Sequence, residues 1–333
     1  MNRALVFTLG VLLLLASPLL GQEKAPPEPT AQLTNRSYCA ANLGHGRLAA
    51  GSTYGVLFYD MGKTTGTVSA PQRLEPLAKK LLLPDSVNDL AHSDGLLAVA
   101  NGPSGVKLVG RVGGEDEPVI VGTIDTPGAA MGVALSGHHL AVAMGVMGVG
   151  LYDVATPDSP HYLATYDTDG YARQVQFGAP ASSELLSILV ANGRGGVVEI
   201  TVEPEAQARL VQSHQTRQPG DVRQVLVVPG GLAVSRGKEG FCLLPHASRK
   251  APEHCYPNLD VVRGLALAGG RLLVGDGGEG LVVVPGVDDW APGEQIRYKL
   301  SQGSINRVYV FDDTVVIAAD YFGILVFPVD SLK

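Results

Sequence analysis

Arginine recurs at one register in this chain, and that recurrence is its clearest chemical signal. In seven successive apolar segments the aligned residues are Cys39, Asn88, Met131, Arg173, Arg223, Arg263 and Arg307. A turn that follows in each segment opens with Ser52, Asn101, Met144, Asn192, Arg236, Asp276 or Asp320. Planar guanidinium groups bind carboxylate or phosphate in a bidentate fashion. An arc of like charges costs free energy unless counter-charges or a ligand offset it. The candidate ligand set is therefore Arg173, Arg223, Arg263, Arg307 and Arg236, with Asn101, Asn192, Asp276 and Asp320 beside them. The competing reading is internal pairing: Arg263 with Asp276, Arg307 with Asp320, Arg173 with Asp169 and Arg223 with Asp221. Arg236 has no evident acid in its own segment, which keeps an anionic ligand in play.

Other signals carry less. Gly275 to Gly280 spells G-x-G-x-x-G, but that fingerprint needs a helix after it to hold a pyrophosphate, and Leu281-Val282-Val283-Val284 reads as a strand. Asp167-Thr168-Asp169-Gly170 lacks the remaining ligands of a calcium loop. The eight histidines show no zinc spacing, and His45, His138 and His139 read as surface turn residues. No G-x-S-x-G elbow or Cys–His pair is placed for nucleophilic work. The sequence calls for no cofactor and no metal.

These residues need elements to hold them. After residue 36 one pattern returns seven times: an apolar strand, a tight turn, a strand ending in small residues, a glycine turn, and a strand of Val, Leu and Ile. The closing glycines are Gly55, Gly105, Gly148, Gly196, Gly240, Gly280 and Gly323, at intervals of 40 to 50 residues. Fourth strands are visible at Val119–Ile124, Tyr162–Tyr166, Leu210–Ser213 and Ile296–Leu300. Four strands per forty-odd residues is the spacing of propeller blades. The expectation is an all-β, seven-bladed β-propeller of four-stranded antiparallel blades over residues 31–333. The last repeat stops after its third strand, so Ala31–Asn35 is expected to supply the missing outer strand and close the ring from the N-terminal side. Leu74–Lys80, in the irregular connection Met61 to Lys80, reads as a short helical turn on the rim. On the innermost strands, large residues such as Ala41, Leu90, Val133 and Val175, and two residues on Leu43, Phe177 and Val227, face small ones such as Gly132 and Gly264.

Composition agrees with a packed domain and excludes several classes. The chain is 45% hydrophobic, 6% aromatic and 17% charged, with 42 Gly and 22 Pro, which excludes disorder, collagen and coiled coil. The formal charge of −7 argues against a nucleic-acid partner. Met1-Asn2-Arg3, an apolar stretch Ala4–Leu20 and Gly21-Gln22-Glu23-Lys24 have the order of a secretory signal. Cleavage is expected near Gly21, giving a signal over 1–21, a Pro-rich leader over 22–30 and no membrane span afterwards. An uncleaved anchor is the alternative, against which Pro18 and Gly21 weigh. In an oxidising compartment, Cys242 and Cys255 sit where a hairpin would set them opposite each other, for a cross-strand disulfide or two buried thiols. Cys39 reads as an inert packed thiol.

One stretch has a familiar look. Val121-Gly122-Thr123-Ile124-Asp125-Thr126-Pro127-Gly128, then Leu140-Ala141-Val142-Ala143, Gly150-Leu151-Tyr152-Asp153-Val154-Ala155-Thr156-Pro157 and Tyr166-Asp167-Thr168-Asp169-Gly170-Tyr171-Ala172 resemble the LVIVD repeat family of exported and surface-associated proteins. The likeness is close in repeats three and four and fades elsewhere to the shared glycine and apolar strands. It implies a propeller fold and a secreted or periplasmic, surface-associated location, and it carries no catalytic residues with it. The expected function is a non-enzymatic binding module for an anionic small molecule or a protein or surface partner. The alternative is a propeller hydrolase or lyase acting on an anionic substrate at the same place, with Tyr321, Asp276 and Asp320 as the nearest groups for proton transfer.

Overall fold

A computed structural model describes residues 36–332 apart from positions 63, 113, 115, 180–183, 205–207, 217–219, 247–251, 258 and 301–302. The expected signal, the leader and the Ala31–Asn35 strand lie outside the described residues. The polypeptide forms seven antiparallel sheets of four strands, which is a seven-bladed β-propeller. The innermost strands are Cys39–Gly44, Asp89–Ser93, Gly132–Ser136, Gln174–Gly178, Gln224–Val228, Val262–Ala268 and Ile305–Phe311. We number the blades one to seven in that order. Each inner strand contacts the next, and the seventh contacts the first, so the ring is closed.

The recurring glycine has a geometric cause. Gly148 has φ +71°, and a Cβ there would lie 2.1 Å from the Tyr166 carbonyl oxygen of the outer strand. Only a residue without a side chain lets the third strand turn while the fourth crosses so close. Strand alternation then gives each blade two apolar faces, and every junction between blades encloses one cluster of buried side chains. Ala143, Leu151, Ile188 and Val190 exemplify the junction of blades three and four, and Leu48, Tyr59, Val316 and Ile324 that of blades seven and one. At roughly 25 cal/mol per Å² of apolar surface removed from water, these junctions are the main stabilising term, since no single four-stranded sheet covers its own faces.

Two expectations are corrected. The outer strand of blade seven is Gln72–Arg73, which pairs with Val326 and Leu325. It comes from the connection inside blade one and not from Ala31–Asn35. Leu74 N–H continues the contact to the Ile324 carbonyl at 2.9 Å. The same connection holds no helix, because after Gln72–Arg73 the chain returns as strand Lys80–Leu82 to finish blade one. The long irregular linker therefore serves two blades and ties blade seven to blade one. On the inner strands one expected core residue is displaced as well: Val227 is 41% exposed.

Cys242 and Cys255 lie directly opposite each other in blade five and form a disulfide. Cys39 is a free, buried thiol.

Candidate functional site

At one mouth of the ring, the turn between second and third strands of each blade meets the residue that leads into the next inner strand. A backbone hydrogen bond marks every junction. N–H groups of Val87, Ala130, Ala172, Val222, Val262 and Ile305 donate to carbonyls of Ser52, Gly102, Gly145, Gly193, Gly237 and Gly277 at 2.8 to 3.0 Å, and Ser37 donates to Ala319 at 3.5 Å. Both sets of sequence-selected residues thus border the same mouth.

Their jobs there differ. Asn101 and Asn192 are fully buried. Asn101 Nδ2 donates to the Asp85 carbonyl at 2.6 Å, while Asn192 accepts from Thr168 Oγ1 at 2.8 Å and donates to the Thr168 carbonyl. Asp276, also buried, accepts from Asp260 N–H at 2.7 Å. In three blades, then, the residue that ends the second strand clamps the loop leading into that blade, satisfying backbone groups that would otherwise be orphaned.

Of the arginine pairings expected from the sequence, Arg223 with Asp221 is found and the others differ. Arg173 Nε donates to Asp221 Oδ1 at 2.8 Å, and Arg223 reaches Asp221 Oδ2 at 3.2 Å. One carboxylate from the loop between blades four and five therefore holds both guanidiniums, and Asp169 is not the partner of Arg173. Arg263 donates to Asn306 Oδ1 at 3.0 Å rather than to Asp276, whose cation is Arg297 at 3.6 Å. Asp320 takes Arg36 at 3.8 Å, not Arg307. Arg307 lies deeper, where the charge of Asp89 from blade two holds its proton against the effect of burial. Burial raises the pKa of Asp89 above the ordinary carboxylate value, and Arg307 opposes the rise. Arg236 donates to the Glu239 carbonyl at 2.7 Å, with burial lowering its pKa and Glu239 countering. Asp221 for Arg173, Asn306 for Arg263 and Asp89 for Arg307 were hidden in the sequence because they come from neighbouring blades or the loops between them.

Sequence reasoning also passed over the residue after each arginine position. Asp89 accepts from Val133 N–H at 3.2 Å, Gln174 from Val225 N–H at 3.2 Å and Gln224 from Leu265 N–H at 2.8 Å. One residue further along its strand, Tyr309 Oη likewise accepts from Ala40 N–H at 3.1 Å. Inner strands of adjacent blades form no ladder with each other, so these side chains supply the missing acceptors. Where the position is glycine the strands approach instead: a Cβ on Gly264 would stand 2.7 Å from Arg307 Cα. The available signal was a polar side chain at a register otherwise filled by Ala, Gly or Val.

The turn tips at this mouth divide by chemistry. Tyr321 of blade seven, Tyr54 of blade one and Val146 of blade three are 59%, 52% and 71% exposed, with exposed Pro103 on blade two between them and Met147 beside Val146. Arg36 stacks on the Tyr321 ring at 3.9 Å. Blades four to six present Arg194, Lys238 with Glu239, and Glu279. The exposed turn tips are thus aromatic or aliphatic over four consecutive blades and charged over three, with the Arg36–Asp320 pair beside Tyr321.

No protein-family model matches this chain, and no curated protein does at a significant level. Solved structures do. The WD40 β-propeller domain of Doa1 aligns with TM-score 0.64 at 11% identity, over 87% of this chain and 92% of that one. Sqt1 of Saccharomyces cerevisiae aligns with TM-score 0.63 at 10% identity over 89% and 96%. The β-propeller domain of Cps50 (Swd1) of Myceliophteria thermophila aligns with TM-score 0.61 at 14% identity over 87% and 95%. The chain is similar to WD40 propellers in fold, and identities this low speak to fold alone.

Proposed function

We propose that this protein is an exported interaction module that docks a partner protein on the mouth face of the propeller. The observation that carries the reading is the run of exposed apolar tips Tyr321, Tyr54, Pro103, Val146 and Met147 on four consecutive blades. Single exposed hydrophobics are ordinary, whereas neighbouring ones mark contact surfaces. The outer strands also expose Ile120 and Leu210, but blades diverge toward the rim and converge at the mouth. Arg173, Arg223 and Arg307 have carboxylates of the chain beside them, which favours a broad partner surface over a small anion. Half-buried Arg263 faces neutral Asn306 and can add a carboxylate of the partner. Export is supported by the order of charges and apolar residues in the first 24 positions and by the LVIVD-like repeats.

The test is selection of random displayed peptides on the purified propeller. The reading expects enrichment of sequences that place aromatic or aliphatic residues next to Asp or Glu. Enrichment of basic sequences, or of none, would contradict it.

A further inference from the structure

Seven buried clusters, one per junction, hold the blades together, and among the described residues that between blades four and five has the fewest members. A cleft of about 510 Å³ lies at that junction, within the size range of small-molecule sites. Its walls are Leu189 from blade four and Leu232, Leu244 and the exposed Val227 from blade five. Val227 occupies the inner-strand register where blade one buries Leu43, so the cleft replaces a core contact.

The fully ionised side chains of this cleft are acidic, and its other polar groups are Ser187, Thr216 and the imidazole of His246. Glu199 and Glu253 line it from opposite blades, and no lysine or arginine is among the described residues that do. Ser187 Oγ lies 3.1 Å from a Glu199 carboxylate oxygen and orients it. Glu253 stands two residues before Cys255, whose disulfide to Cys242 anchors that outer strand to the sheet. A concave apolar wall with one carboxylate from each of two blades suits a ligand that buries an apolar body and presents an ammonium group to them.

We propose that the cleft between blades four and five is a binding site for an organic cation with an apolar body, with Glu199 and Glu253 as its charge-recognising residues. This site is separate from the mouth.

The probes are phenethylamine, 2-phenylethanol and phenylacetate, which share one ring and differ in head-group charge. Saturation-transfer NMR on the whole protein should show saturable binding in the order amine, alcohol, acid. Glu199→Gln with Glu253→Gln should weaken the amine about tenfold and leave the alcohol unchanged, a tenfold change being about 1.4 kcal/mol. Val227→Trp, which fills the cleft, should remove both, while Tyr54→Ser at the mouth should change neither. Equal binding of the acid, or amine binding that survives the glutamine changes, would overturn the proposal. So would amine binding that strengthens in an Arg249→Ala/Lys250→Ala variant, which would mean that the chain's own cations occupy the cleft.

Discussion

Arg173 Nε donates to Asp221 Oδ1 at 2.8 Å, joining the inner strand of blade four to the loop that leads into blade five. The same carboxylate reaches Arg223, so one acid is shared by two neighbouring members of the arginine arc and offsets half of their charge. Both pairs are about one-third exposed on the arginine side, and solvent screens them. Asp221→Asn should cost only about 1 kcal/mol, read by urea unfolding. The more telling consequence is chemical: two guanidiniums would be left without their acid. Sulfate should raise the melting temperature of Asp221→Asn more than that of the wild type. An equal rise in both would show that Asp221 does not fill an anion position.

Gly264 is a contact between blades rather than a turn. Because the atoms that a Cβ would meet belong to the Arg307 and Val308 backbone, no side chain can swing aside. Gly264→Ala should destabilise by about 1 to 3 kcal/mol, against a few tenths for an alanine at open Gly278. Denaturant unfolding of the two variants side by side checks this.

Asp276 is buried, and that burial raises its pKa, so the folded protein holds the proton more tightly than the unfolded chain. Its favourable contribution is complete below the unfolded carboxylate value of about 3.9 and is lost as pH rises through the folded value. Asp276→Asn resembles the protonated form and keeps an acceptor for Asp260 N–H. The stability of Asp276→Asn relative to wild type should therefore be greatest near pH 7 and decline toward pH 4. A difference that grows on acidification would reverse the sign of the account.

Burial drives the Cys39 thiol far above its ordinary pKa, which keeps it protonated and unreactive. The native protein should show no titratable thiol at pH 8, and one after denaturation without reductant. The Cys242–Cys255 bridge closes a loop with a separation of 13 residues, for which chain entropy suggests about 3 kcal/mol. Cys242→Ala/Cys255→Ala should lose stability of that order.

The blades were legible because glycine has to recur wherever an outer strand crosses a turn, as at Gly148 and Gly240, and because apolar alternation repeats with it. Closure by Gln72–Arg73 was not, since a two-residue strand has no period to detect and its partner lies some 250 residues away in sequence. At the mouth, position was legible, and so was the pairing of Arg223 with nearby Asp221, but pairings between blades were not. Register placed Arg173, Arg223 and Asp221 near one another, but which acid meets which arginine depends on the rotation between blades. The bridging role of Gln174 and Gln224 becomes visible only once inner strands are known to lie side by side without pairing.

The central claim is that the mouth face, with its apolar tips, is where a partner docks. Its most direct test is a calorimetric titration of the best display-selected peptide against three proteins: wild type, Tyr54→Ser/Tyr321→Ser at the mouth, and Ile120→Ser/Leu210→Ser at the rim. The account predicts affinity weakened by roughly tenfold or more in the mouth variant, about 1.4 kcal/mol, and unchanged in the rim variant. Binding that survives the mouth changes and is lost with the rim changes would contradict it.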